Sequence, residues 1–179
     1  GYGDSHHFGW TITTAAHNGI LIDHKGQACQ TLDAYGSITA FATGAKFHYT
    51  AGSAAAAYRE VTVERFIRHV LWIEPNVYII YDQIDTPKPV STQWLLHALE
   101  AMDVDAAQRR VRVRRSQAVL SAYFVYPEVN GFSQTSAFAV PVPENPVKGK
   151  PEDYPQQWHL TVTSPEDTRA HRWLTVLFA

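Results

Sequence analysis

EVTVERFIRHVLWIEPNVYIIYDQID, residues 60–85, decides how this chain folds. β-Branched and aromatic residues dominate both halves, and Glu74-Pro75-Asn76 supplies turn chemistry between them. The stretch reads as a long strand over 60–73 that returns through a hairpin as a second strand over 76–85; a helix over 60–73 is the competing reading. On the strand reading Arg68 shares a face with Phe66 and Val70, which predicts a partnered, structural arginine.

Outward from this hairpin the same short-strand pattern recurs. Strands are expected at 7–13, 19–23, 36–43, 46–51, 92–99, 109–115, 119–127, 158–164 and 172–179. In the last, Trp173, Thr175 and Leu177 face one way and Leu174, Val176 and Phe178 the other, as in a strand buried between two layers. AGSAAAAYRE (51–60) is either a helical stretch or a loop of small residues packed close to another element. Residues 130–157, rich in Pro, Ser and Gly, read as a surface excursion between strands. One domain over 1–179 is expected: all-β, an antiparallel two-sheet β-sandwich.

Composition narrows the function classes. A net charge of −2 gives no electrostatic case for binding nucleic acid. No apolar run is long enough for a membrane-spanning helix. Cys29 is the single cysteine, so no intrachain disulfide forms. Nine histidines are a generous supply, but no HExxH or paired CxxC spacing marks a local zinc motif.

Three histidines and an acid hold attention. His6 and His7 are adjacent, so on an extended chain they point to opposite faces. Asp23 ends the apolar run GILID and is either a turn initiator or a ligand. His97 sits in QWLLHAL, sharing a face with Leu95; it is either a hydrogen-bonded core residue or a ligand or catalyst. In RRVRVRR (109–115), alternation places Arg110, Arg112 and Arg114 on one face, either a solvated sheet surface or a basic stripe for an anionic polymer.

Four segments in order resemble the heparinase II/III-like domain of bacterial polysaccharide lyases. They are GYGDSHHFGW through AHNGILIDHKGQ (1–27), AGSAAAAY (51–58), RFIRHVLWIEPNVYIIYDQID (65–85) and QWLLHAL (93–99). The resemblance covers about residues 1–100. It implies the β-sandwich half of a two-part enzyme whose other half, an α-helical toroid, is the expected partner domain, in a periplasmic or secreted bacterial protein. It also implies a structural zinc ion held by His6 (or its neighbour His7), Asp23 and His97, and an acidic polysaccharide as substrate. His7 is implied as the sandwich's catalytic histidine and Tyr35 as a substrate contact. Two departures stand out: His24 follows Asp23 where the family has Gly, and Gly52-Ser53 stands where it has Gly-Asp. The rival reading is a non-catalytic carbohydrate-binding or interaction module of the same fold. A cupin-type metalloenzyme fits less well, because His6, His7 and the distant His97 lack its histidine spacing.

Overall fold

The computed structural model describes residues 3–129, 131–147, 149–150, 153–154 and 156–179. The decisive hairpin forms: β4 (Arg65–Ile73) returns as β5 (Val77–Val90) across Glu74-Pro75-Asn76, with Phe66 opposite Ile84 and Arg68 opposite Asp82. Residues 60–64 lie outside the strand, whereas β5 runs on past 85 to Val90. Pro87 and Pro89 lack an N–H for the ladder, and the pairing of β5 with its next neighbour shifts register there, between Thr168 and Ala170.

The remaining strands are β1 (Ile20–Ile22), β2 (Ser37–Thr43), β3 (Phe47–Ser53), β6 (Thr92–Ala98), β7 (Asp103–Asp105), β8 (Arg110–Arg115), β9 (Ala118–Tyr126), β10 (Gly131–Thr135), β11 (Trp158–Thr163) and β12 (Thr168–Phe178). They make two antiparallel sheets, four strands in the order β1-β6-β11-β10 and eight in the order β2-β3-β4-β5-β12-β9-β8-β7. The expected two-sheet β-sandwich is the observed architecture. Ile20, Ile22, Trp94, Leu96, Leu160 and Val162 of the small sheet meet Phe66, Ile84, Val111, Ala122, Phe124 and Trp173 of the large one. A buried polar chain also ties the layers. The Trp173 indole N–H donates to Thr92 Oγ1 (3.0 Å), and His171 Nε2–H donates to the Val90 carbonyl (2.8 Å). That leaves His171 Nδ1 to accept the Thr92 hydroxyl at 3.1 Å.

Residues 131–135, expected within a surface excursion, instead form β10, the edge strand of the small sheet paired with β11. Two further expectations need correction. Residues 7–13 are not a strand but a short helical turn over His7–Thr11, followed by a tighter one over Thr14–Ala16. Asp4 explains the difference locally: its carboxylate accepts the His7 N–H (2.8 Å) and its carbonyl accepts the Phe8 N–H (3.2 Å). Tertiary packing completes it, because the turn buries Trp10 and brings Gly9 so close to Val140 that a Cβ there would lie 2.6 Å from a Val140 methyl. Likewise β12 is fully buried on one face only, Leu174 and Val176 on the other being half-buried. Trp173 and Thr175 are fully buried, but Phe178 on the opposite face is 45% exposed. Of the two readings for 51–60, the small-residue segment holds: β3 continues to Ser53, and one turn over Ala55–Ala57 leads into buried Tyr58.

The sheets differ in width, and that positions everything functional. Four strands cannot cover eight, so the β2–β3 side of the large sheet projects past the small sheet and β2 is exposed throughout. The outer face of the small sheet, bearing Leu95, His97, His159 and Thr161, is covered instead by the N-terminal turn and by Phe138, through Trp10.

Candidate functional site

Asn18, in the Ala16-His17-Asn18 turn, links several elements at one point. Its side-chain oxygen accepts the His97 backbone N–H (2.9 Å) and lies 3.1 Å from His97 Nδ1. Its carbonyl accepts a bond from Arg68 Nη1 (3.3 Å). Arg68 in turn grips Asp82 with two parallel bonds, Nε to Oδ1 at 2.6 Å and Nη2 to Oδ2 at 3.0 Å. Asp82 is wholly buried beneath this pair. The structural role expected for Arg68 is therefore the one observed. Close by, the Tyr58 hydroxyl donates to the Ile20 carbonyl at 2.6 Å, and burial pushes its ionisation well above the ordinary tyrosine value.

Above Asn18 and Arg68 lies a polar cleft of about 330 Å³, lined also by Thr14, His17, Gln27 and Cys29. His17 is exposed there. The arrangement offers a guanidinium fixed in direction by its carboxylate partner, an amide side chain and a solvent-facing imidazole. Such a set can bind and orient a hydroxyl-rich or anionic ligand.

His97 is built into this architecture. Its Nε2 lies 3.0 Å from the Ala15 carbonyl while Nδ1 faces Asn18 Oδ1, so a ring with one proton can donate to only one of the two oxygens. Burial is the main cause pushing its pKa down to about 4, which keeps the ring neutral at pH 7. On the neighbouring strand His159 stands directly opposite, ring centroids 5.2 Å apart, and the Trp10 ring lies tilted against it at 4.5 Å. His159 Nε2 is buried and finds no hydrogen-bond partner among the described residues, and burial likewise lowers its pKa. Of the two readings of His97, the hydrogen-bonded one describes its surroundings.

The other residues singled out from sequence are dispersed. His6 is buried, with Nδ1 2.6 Å from the Val140 carbonyl and its ring edge-on to Phe138. His7 is half-buried on the same turn with its ring against Phe8. Because this segment is a helical turn, the opposite-face argument for His6 and His7 does not apply. Tyr35 is 65% exposed on the loop before β2. Asp23 is exposed, and its N–H bonds the Ser91 carbonyl (2.9 Å) at the far end of β6 from His97. Six residues of extended chain, at roughly 3.3 Å each, put about 20 Å between those two points. Among the described residues no group of three or more His, Cys, Asp or Glu side chains could hold a metal ion. The set of His6, Asp23 and His97 does not fit one zinc ion as arranged: the spacing of GILID and QWLLHAL carries no information about which strand ends meet. The turn at Asp23 also explains the departure at His24. Both residues have positive φ, 52° and 61°, in a two-residue turn closed by paired Ile22 and Lys25 backbone bonds. Glycine is the residue such a position favours.

Sequence reading gave no role to His17, Asn18 or His159. Ala-His-Asn was a visible signature, but Asn18's partners come from β4 and β6. His159 becomes notable only because register places it against His97.

Neither a protein-family model nor a curated protein matches the sequence. Solved structures do. Heparan sulfate lyase HepC from Pedobacter heparinus superposes over 99% of this chain and 26% of its own, with TM-score 0.73 and 11% identity. A heparinase III superposes over 99% of this chain and 26% of its own, with TM-score 0.72 and 14% identity. The chain thus spans about a quarter of the length of the solved structures it matches. No helix among the described residues is long and apolar enough to cross a membrane. The fold of this chain is the β-sandwich found within those lyases, the heparinase II/III-like sandwich that its sequence resembles.

Proposed function

We propose that this chain is the β-sandwich part of a polysaccharide lyase that cleaves uronic-acid-containing chains by β-elimination. The observation that supports it most is the superposition of nearly the whole chain on a quarter of heparan sulfate lyase and heparinase III chains. The polar cleft at His17 and Arg68 agrees with a carbohydrate ligand.

Elimination removes the C5 proton of a uronate, whose carboxylate already carries a negative charge and makes that proton weakly acidic. The reaction needs donors on the carboxylate, a positioned base, and an acid for the departing glycosidic oxygen. In this reading the Arg68 cleft belongs to the substrate groove of the sandwich, His7 contributes to proton transfer, and Tyr35 contacts the sugar chain. The remaining groups, a tyrosine among them, come from the helical half. No step is assigned to a metal held by His6, Asp23 and His97.

The test is formation of the unsaturated uronate, followed by its absorbance. The chain joined to its helical half is expected to release it from heparin-type or other uronate chains, and the chain alone to release little. Robust turnover by the chain alone would overturn this division of labour. Binding without elimination by the joined protein would favour the binding module instead.

A further inference from the structure

A second cleft opens beside His97, where β6 and β8 finish. Its volume is about 320 Å³, and His97, Leu99, Val113, Arg114, Arg115 and Gln157 line it. The two arginines are unlike their neighbours on β8. Arg110 pairs with Asp105 (3.1 Å) and Arg112 reaches toward Asp103 (3.9 Å). The register of β7 against β8 explains where this neutralisation stops. Asp105 stands opposite Arg110 and Asp103 opposite Arg112, so continuing the alternation brings Ala101, not an acid, to Arg114. Among the described residues neither Arg114 nor Arg115 makes an ion pair, and Glu100, next to Leu99, makes none either. Arg114 and Arg115, neither in an ion pair among the described residues, thus line with Gln157 a cleft whose other walls, Leu99 and Val113, are apolar. The combination suits a sugar ring that carries an anionic substituent: the planar forks take the oxyanion and the aliphatic walls take the ring's C–H face. Position agrees as well. His97 lines this cleft and bonds Asn18, which lines the Arg68 cleft, so the His97–Asn18 pair joins the two clefts.

We propose that Arg114, Arg115 and Gln157 form an anion subsite for the carboxylate or sulfate groups of an acidic polysaccharide, an inference that rests on the carbohydrate reading of the fold but not on catalysis. The test is calorimetric titration of the full chain with two oligosaccharides, one sulfated heparin-type and one carrying carboxylates only. Three proteins are compared: the unmodified chain, R114A/R115A, and R59A/R169A, which removes the same charge from exposed positions elsewhere. R114A/R115A is expected to lose about tenfold or more in affinity, in keeping with the loss of charge-assisted hydrogen bonds, while R59A/R169A changes less than about twofold. Loss confined to the sulfated ligand assigns the subsite to sulfate; loss for both assigns it to carboxylate. Equal losses in the two variants, unchanged binding by R114A/R115A, or no binding of either ligand by the unmodified chain overturns the subsite. Retained, Arg114-dependent binding without elimination by the joined protein would instead sink the lyase reading and leave the subsite standing.

Discussion

Removing either member of the Arg68–Asp82 pair should destabilise the fold, but by unequal amounts. The Asp82 side chain is 1% exposed while that of Arg68 is 26% exposed. In Asp82→Asn the guanidinium keeps one amide oxygen as acceptor and can turn toward the His17 cleft and water, so the expected cost is about 2–3 kcal/mol. In Arg68→Met the carboxylate stays buried, on the strand position opposite Trp173, without its cationic partner, and the expected cost is about 3–5 kcal/mol. Replacing both, as Arg68→Met with Asp82→Leu, removes the uncompensated charge and should cost less than Arg68→Met alone. For a domain of this size each kcal/mol shifts Tm by roughly 2–4 °C, so the Arg68→Met loss amounts to about 6–20 °C. Urea and thermal unfolding followed by circular dichroism measure all three. Equal losses in the two single variants, or a double variant worse than both, would refute the argument that burial of Asp82 sets the cost.

Acid should weaken the fold through its histidines. Burial lowers the pKa of His171 and His159 and brings His97 down to about 4, so the native state favours neutral rings. Their contribution is present above the unfolded histidine value near 6.5 and is lost as pH falls toward the folded values; the urea midpoint should drop between pH 7 and pH 5, and an unchanged midpoint would contradict this. His24→Gly should stabilise by about 0.5–1 kcal/mol, read as a higher Tm, because it relieves a left-handed residue in the two-residue turn after β1. Asn18→Ala should cost about 2 kcal/mol in urea unfolding and weaken oligosaccharide binding, since it removes the oxygen that accepts the His97 backbone N–H.

Much of this structure follows from local pattern, and its failures share one cause. The 65–85 hairpin, the outward-facing arginines at 110, 112 and 114, and a partnered Arg68 all rest on period-two alternation, which the chain obeys. The turn at 7–11 departs from the pattern where the Asp4 carboxylate accepts the His7 N–H and Trp10 is buried against His159 and Phe138. Long-range register was also invisible. It separates Asp23 from His97, sets His97 beside His159, and ends the acid–arginine ladder one step before Arg114. The apolar alternation of β12 suggested two covering layers, yet only its relative burial tells that one face lacks a partner sheet.

The most direct test of the proposed activity is the mass of the products released from a defined uronate oligosaccharide by the chain joined to its helical half. β-Elimination divides a chain without adding water, so the account predicts two fragments whose masses sum to that of the substrate, one ending in an unsaturated uronate. Fragments that together gain one water, or no cleavage of any uronate chain, would contradict it.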